Sequence, residues 1–98
     1  MDKEQLIKLA DIAGYDEVFY MGYERTPKVS KNGTCKHWRP HEDLNQAFEV
    51  LEGCGYFYLI DNMYKDRYNI ELNRSMYFED MSLPEAICKA VLKATEQG

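Results

Sequence analysis

The segment Ser82-Leu83-Pro84-Glu85-Ala86-Ile87-Cys88-Lys89-Ala90-Val91-Leu92-Lys93-Ala94 constrains the fold most, because a helix start signal and a helical apolar stripe coincide in it. Ser82 with Glu85 three residues on is a capping box, in which each side chain answers the other's free amide. Pro84 falls in the first turn, where the N–H it lacks has no helical partner to lose. Leu83, Ile87, Ala90, Val91 and Ala94 recur at the helical period and mark the face to be buried.

The rest of the chain supplies the partners for that helix. Asp2 can cap a first helix with Gln5 as reciprocal partner. Leu6, Leu9, Ala10 and Ala13 form its stripe, and Gly14 stands where a left-handed residue ends a helix. Glu17-Val18-Phe19-Tyr20-Met21 is short, β-branched and aromatic, and reads as a strand. Asn32-Gly33 between Val29-Ser30-Lys31 and Thr34-Cys35-Lys36 is a two-residue hairpin signal, so residues 22–37 are expected as a projecting polar and basic ribbon or loop.

Pro40 should open a second helix, with Glu42 and Asp43 in its first turn and Gly53 at its end. Leu44, Ala47, Phe48 and Leu51 would form its apolar face. The apolar run from Tyr56 to Ile60 reads as a central strand, and residues 61–66 as a turn. Tyr68, Ile70 and Leu72 alternate with Arg67, Asn69 and Glu71, the mark of a strand with one buried face. A turn at Asn73-Arg74-Ser75 and a short strand at Met76-Tyr77-Phe78 lead into the closing helix. The expectation is one α+β domain spanning residues 1–98. It is a small layered α/β/α sandwich with a mainly antiparallel sheet, in the order α-β-(ribbon)-α-β-β-β-α.

Composition sets outer bounds. The 98 residues allow one modest core, and 45% apolar with 30% charged residues is a globular balance. No apolar run is long enough to cross a bilayer. Residues 1–14 carry acids and a helical pattern rather than a basic, apolar leader. Three cysteines without an export signal favour reduced thiols, hence a cytoplasmic setting. The net charge of −5 argues against general nucleic-acid affinity. Its distribution is uneven. From Glu24 to Arg39 five basic residues (Arg25, Lys28, Lys31, Lys36, Arg39) face one acid, while the remainder carries 7 basic and 16 acidic groups.

The chemistry-bearing residues give few constellations. Cys35, His37, His41 and Cys54 have donor atoms suited to zinc, but no C-x2-C pair exists, and no metal or other cofactor is expected. Cys35 and His37 point the same way in a strand, yet no glycine elbow or oxyanion context surrounds them. Cys88 lies on an apolar helix face and reads as core. No phosphate-cradling loop is present. An anion site would therefore rest on the basic segment. Arg25, Lys28, Lys31, Lys36 and Arg39 would supply charge, and Tyr23 and Trp38 rings to stack on a base. Eight tyrosines in 98 residues are more aromatic surface than so small a core can absorb, which points to an interface and to self-association.

Two blocks carry a resemblance. Trp38-Arg39-Pro40-His41-Glu42-Asp43-Leu44-Asn45-Gln46-Ala47-Phe48-Glu49-Val50-Leu51-Glu52 and Ser82-Leu83-Pro84-Glu85-Ala86-Ile87-Cys88-Lys89-Ala90 resemble the phage ABA sandwich domain, a family of small phage and prophage proteins. The likeness spans about residues 38–95 and implies a layered α–β–α fold and a phage origin, with no catalytic residues to carry over. The resulting expectation is a non-enzymatic accessory protein that binds and occludes a host or phage protein. The alternative is an oligomeric binder that sequesters a nucleotide-derived small anion, such as an immune second messenger. Nucleic-acid binding stands third, and neither a membrane partner nor an enzyme activity is expected.

Overall fold

The computed structural model describes residues 1–20, 22 and 26–97. Its elements are α1 (Lys3–Ile12), β1 (Glu17–Phe19), β2 (Lys28–Lys31), β3 (Thr34–His37), α2 (Leu44–Cys54), β4 (Tyr58–Tyr64), β5 (Arg67–Leu72), β6 (Ser75–Asp80) and α3 (Leu83–Gln97). The α+β class, the antiparallel pairing and the element order agree with the expectation. The strands divide into two antiparallel three-stranded sheets, β1-β2-β3 and β4-β5-β6, each a meander in chain order.

Local signals account for most element ends. Asp2 accepts from the Gln5 amide while the Gln5 side chain accepts from the Asp2 amide, closing the capping box of α1. The hairpin between β2 and β3 turns on Asn32 at φ 53° and Gly33 at φ 80°, the left-handed pair that a type I′ turn requires. This hairpin is rooted in the body. Val29 in the middle strand is fully buried, whereas the tip from Lys31 to Cys35 is exposed.

The second helix starts later than Pro40 suggests. Pro40 is buried in the preceding turn, and Asp43 is the cap, accepting from the Gln46 amide. The helix ends at Gly55 in the left-handed region, not at Gly53. Gly53 has a different role: a Cβ there would lie 2.1 Å from the Ile12 carbonyl, so its missing side chain lets α2 close on the end of α1.

The core is continuous across the helices. Ala86, Ile87, Ala90 and Val91 of α3 are fully buried, between Ala47, Val50 and Leu51 of α2 on one side and Ile70, Leu72 and Tyr77 of the β4–β6 sheet on the other. Cys88 shares this interior, and burial pushes its thiol up to about 12. Cys54 is half-buried, its thiol donating to the Leu51 carbonyl, and Cys35 is exposed on β3.

Candidate functional site

Trp38 is the first correction to the expected site. It was the ring meant to stack on a ligand, but it is fully buried. Its indole N–H donates to the Leu6 carbonyl of α1 at 3.0 Å, and its ring lies 5.0 Å from that of Tyr15. Gln46 holds the flanking backbone, accepting from the Arg39 amide and donating to the His37 carbonyl. A tryptophan buried this completely, with its one donor satisfied, is a structural anchor. Tyr23 and Arg25 lie outside the described residues.

The remaining basic residues do not share one cavity. Strand alternation puts Lys31 and Lys36 on the face of the β1–β3 sheet that carries buried Val29, while Lys28 falls on the opposite face with Cys35 and His37. Arg39 is exposed beyond the sheet. Lys31 and Lys36 sit 5.8 and 5.1 Å from the Tyr15 ring, beside a shallow notch of about 250 Å³ lined with Asn32 and Thr34. The Lys36 charge is already answered there: its ammonium donates to both Glu49 oxygens at 2.9 Å, and the Tyr15 hydroxyl donates to the same carboxylate. Partial burial works against the Lys36 cation, but its bonds to Tyr15 and Glu49 outweigh that and raise its pKa. Burial likewise raises that of Tyr15.

The histidines and cysteines are separate features. His41 has a side chain only 16% exposed. Burial lowers its pKa against the pull of Glu42, whose carboxylate is 3.9 Å away. Among the described residues no three His, Cys, Asp or Glu side chains gather as a metal site requires.

The feature that stands out is the outer face of the β4–β6 sheet. Tyr56 to Ile60 suggested a central strand, but β4 is an edge strand that runs on through Asp61 and Asn62 to Tyr64, with a bulge at Met63. The register then defines two faces. Ile60, Ile70, Leu72, Tyr77 and Glu79 point toward α3, where Glu79 is buried and ion-paired with Lys93. Leu59, Glu71 and Met76 form one row of the other face, Asp61, Asn69 and Phe78 the next, and Tyr64, Arg67 and Asp80 the last.

No described element covers this outer face. Phe57 is 74% exposed, Phe78 62%, and Leu59, Met63, Tyr64 and Met76 between 56% and 64%. The Arg67 guanidinium donates to Asp80 at 2.9 Å across the far row. Hollows of about 560 Å³ (Phe57, Glu71, Asn73, Arg74) and about 230 Å³ (Met63, Arg67, Phe78, Asp80) open at its two ends. Near its centre the Asn69 side-chain oxygen is shielded from water and has no hydrogen-bond partner. Sequence reasoning foresaw surplus aromatics but did not place them here. The missed signal was the strict alternation Met76-Tyr77-Phe78, in which both partners of Tyr77 must face outward.

Comparison with protein families, with characterised proteins and with solved structures finds no match. The phage-family resemblance therefore rests on the two sequence blocks alone. Among the described residues no helix is long and apolar enough to cross a membrane.

Proposed function

We propose that this chain is a small non-enzymatic binding protein whose working surface is the outer face of the β4–β6 sheet. The observation that carries the reading is the concentration of six large exposed apolar side chains on one sheet face of so small a domain. Exposed apolar surface of this extent marks a protein-binding site, because leaving it in water forgoes burial energy. It lies on the two edge strands, Leu59 and Tyr64 of β4 and Met76 and Phe78 of β6, with the polar side chains of Arg67, Asn69 and Glu71 running down β5 between them. A phage accessory role, occluding a host or phage protein, follows from the sequence resemblance and is part of the proposal.

The test is affinity capture from a producing cell with the wild-type chain and with Phe78→Asp in parallel. A specific partner held by the first and lost by the second supports the reading, and equal capture by both removes it.

Anion sequestration ranks second. It would use the notch beside Tyr15, where Lys31 keeps its charge and Lys36 shares its own with Glu49. Calorimetric titration of a nucleotide against the wild type and Lys31→Ala separates it from the first reading, since the sheet face is untouched by that change.

A further inference from the structure

We propose that the occupant of the outer β4–β6 face is a second copy of this chain, stacked sheet against sheet about a two-fold axis that passes Asn69. The proposal rests on the reading of that face as the working surface and names its partner.

Area is the first argument. At these exposures each of Phe57, Leu59, Met63, Tyr64, Met76 and Phe78 offers on the order of 100 Å² or slightly more. Together they approach the roughly 800 Å² that each partner contributes to a stable interface. The face is thus large enough for a dimer without recruiting the β1–β3 sheet.

Charge is the second. Arg67 and Glu71 lie on the same face of β5, two residues to either side of Asn69. Let the axis lie between the two sheets and cross β5 at Asn69. Each Arg67 then stands over Glu71 of the second copy, and each Glu71 over its Arg67. The same operation brings Phe78 close to its own mate in the middle of β6. A parallel stacking would instead set Glu71 on Glu71, which like charges oppose. Asp61, which would approach its mate, sits on the edge strand, where sheet twist splays two stacked sheets apart and water enters.

The third argument is the defect at the centre. Asn69 holds a shielded side-chain oxygen with no donor, a state that folded proteins avoid. A second Asn69 across the axis supplies the missing donor once both amides rotate, each giving its N–H to the other's oxygen. A single buried asparagine pair of this kind also fixes register, as it does in coiled coils.

The experiment is sedimentation velocity of the full chain under reducing conditions over a broad concentration range. The wild type is expected to dimerise, and Phe78→Asp to remain monomeric with an unchanged circular dichroism spectrum and the melting point that the wild type shows when diluted to monomer. Glu71→Arg and Arg67→Glu each put like charges in register in their own homodimers, and each should weaken self-association at least tenfold. Mixed together, these two variants make only complementary contacts and should form a heterodimer of wild-type strength. A mixture no stronger than its components overturns the stacking geometry. A wild type that stays monomeric throughout overturns the second copy as occupant. The reading of the face as a binding surface then stands or falls separately, on whether Phe78→Asp loses a captured partner.

Discussion

Beside the β1–β3 sheet the rings of Trp38 and Tyr15 pack into the molecule, whereas on the β4–β6 sheet Phe57 and Phe78 stand in solvent. Trp38 and Tyr15 pack on each other, and each is held by a polar contact, to Leu6 and to Glu49. Phe57 and Phe78 contribute apolar area that this chain alone does not bury. Both sheets have three strands, and both send residues into the core, Val29 from the first and Ile70, Leu72 and Tyr77 from the second. They differ in where their aromatic rings go. The rings beside the first sheet serve stability, and those of the second, on the proposal above, are kept for contact with another molecule.

The comparison breaks most decisively at Trp38. Trp38→Ala removes a fully buried indole and its hydrogen bond to the Leu6 carbonyl, with an expected loss of about 3–5 kcal/mol in a urea titration. That is a large share of the roughly 5–15 kcal/mol typical of a domain. Gly53→Ala should cost about 1–3 kcal/mol by the same measurement, because α2 cannot retreat from the Ile12 carbonyl without loosening the joint beside the first sheet.

The inner face of the second sheet should respond less. Glu79→Gln leaves a neutral group at a buried position and frees Lys93, which is half-exposed and can turn to water. The expected cost is about 1–2 kcal/mol, and a double-mutant cycle with Lys93→Met assigns it to the pair. A pH series sharpens the picture further. The folded state holds the His41 pKa below its ordinary 6.5, so the unfolded chain takes up the proton first. Stability from this group is complete above 6.5 and falls as pH drops through the lowered folded value. The urea midpoint should therefore decline as pH drops below the ordinary 6.5, and His41→Gln should flatten that decline. Smallest of all is Phe78→Ser, expected within about 0.5 kcal/mol of wild type in the same titration run at a dilution where the wild type is monomeric. A Phe78 effect as large as that at Trp38 would show that the outer face is part of the core after all.

Legibility from sequence followed the range of the interactions. The Asp2–Gln5 box, the Asn32-Gly33 turn and the apolar stripe of α3 act within a few residues, and each could be read directly. The inward side of β5 was legible because Ile70 and Leu72 alternate with polar neighbours. Each strand pairs with its neighbour in the chain, and what no local pattern encodes is that β1–β3 and β4–β6, separated in sequence by α2, form two sheets rather than one. Tyr56 to Ile60 looked central because a continuous apolar run is the usual mark of burial on both faces. Here one of those faces, the one with Phe57 and Leu59, is uncovered. Trp38 misled for the converse reason. It sits among charged residues in the chain, and its burial comes from α1 and Gln46, both remote from the basic ribbon in character.

The three cysteines differ in what an oxidant can reach. Cys88 has almost no thiolate at neutral pH, whereas Cys35 faces solvent on β3. Oxidative cross-linking in air therefore selects Cys35 and joins two chains back to back through the first sheet, leaving the hydrophobic side of the second untouched at both ends. Such a covalent pair would have the mass of the proposed two-fold assembly and none of its geometry. Growth of a filament becomes possible when both contacts operate at once, since each chain then offers two different joints. Exchanging Cys35 for serine removes one joint and limits assembly to closed pairs.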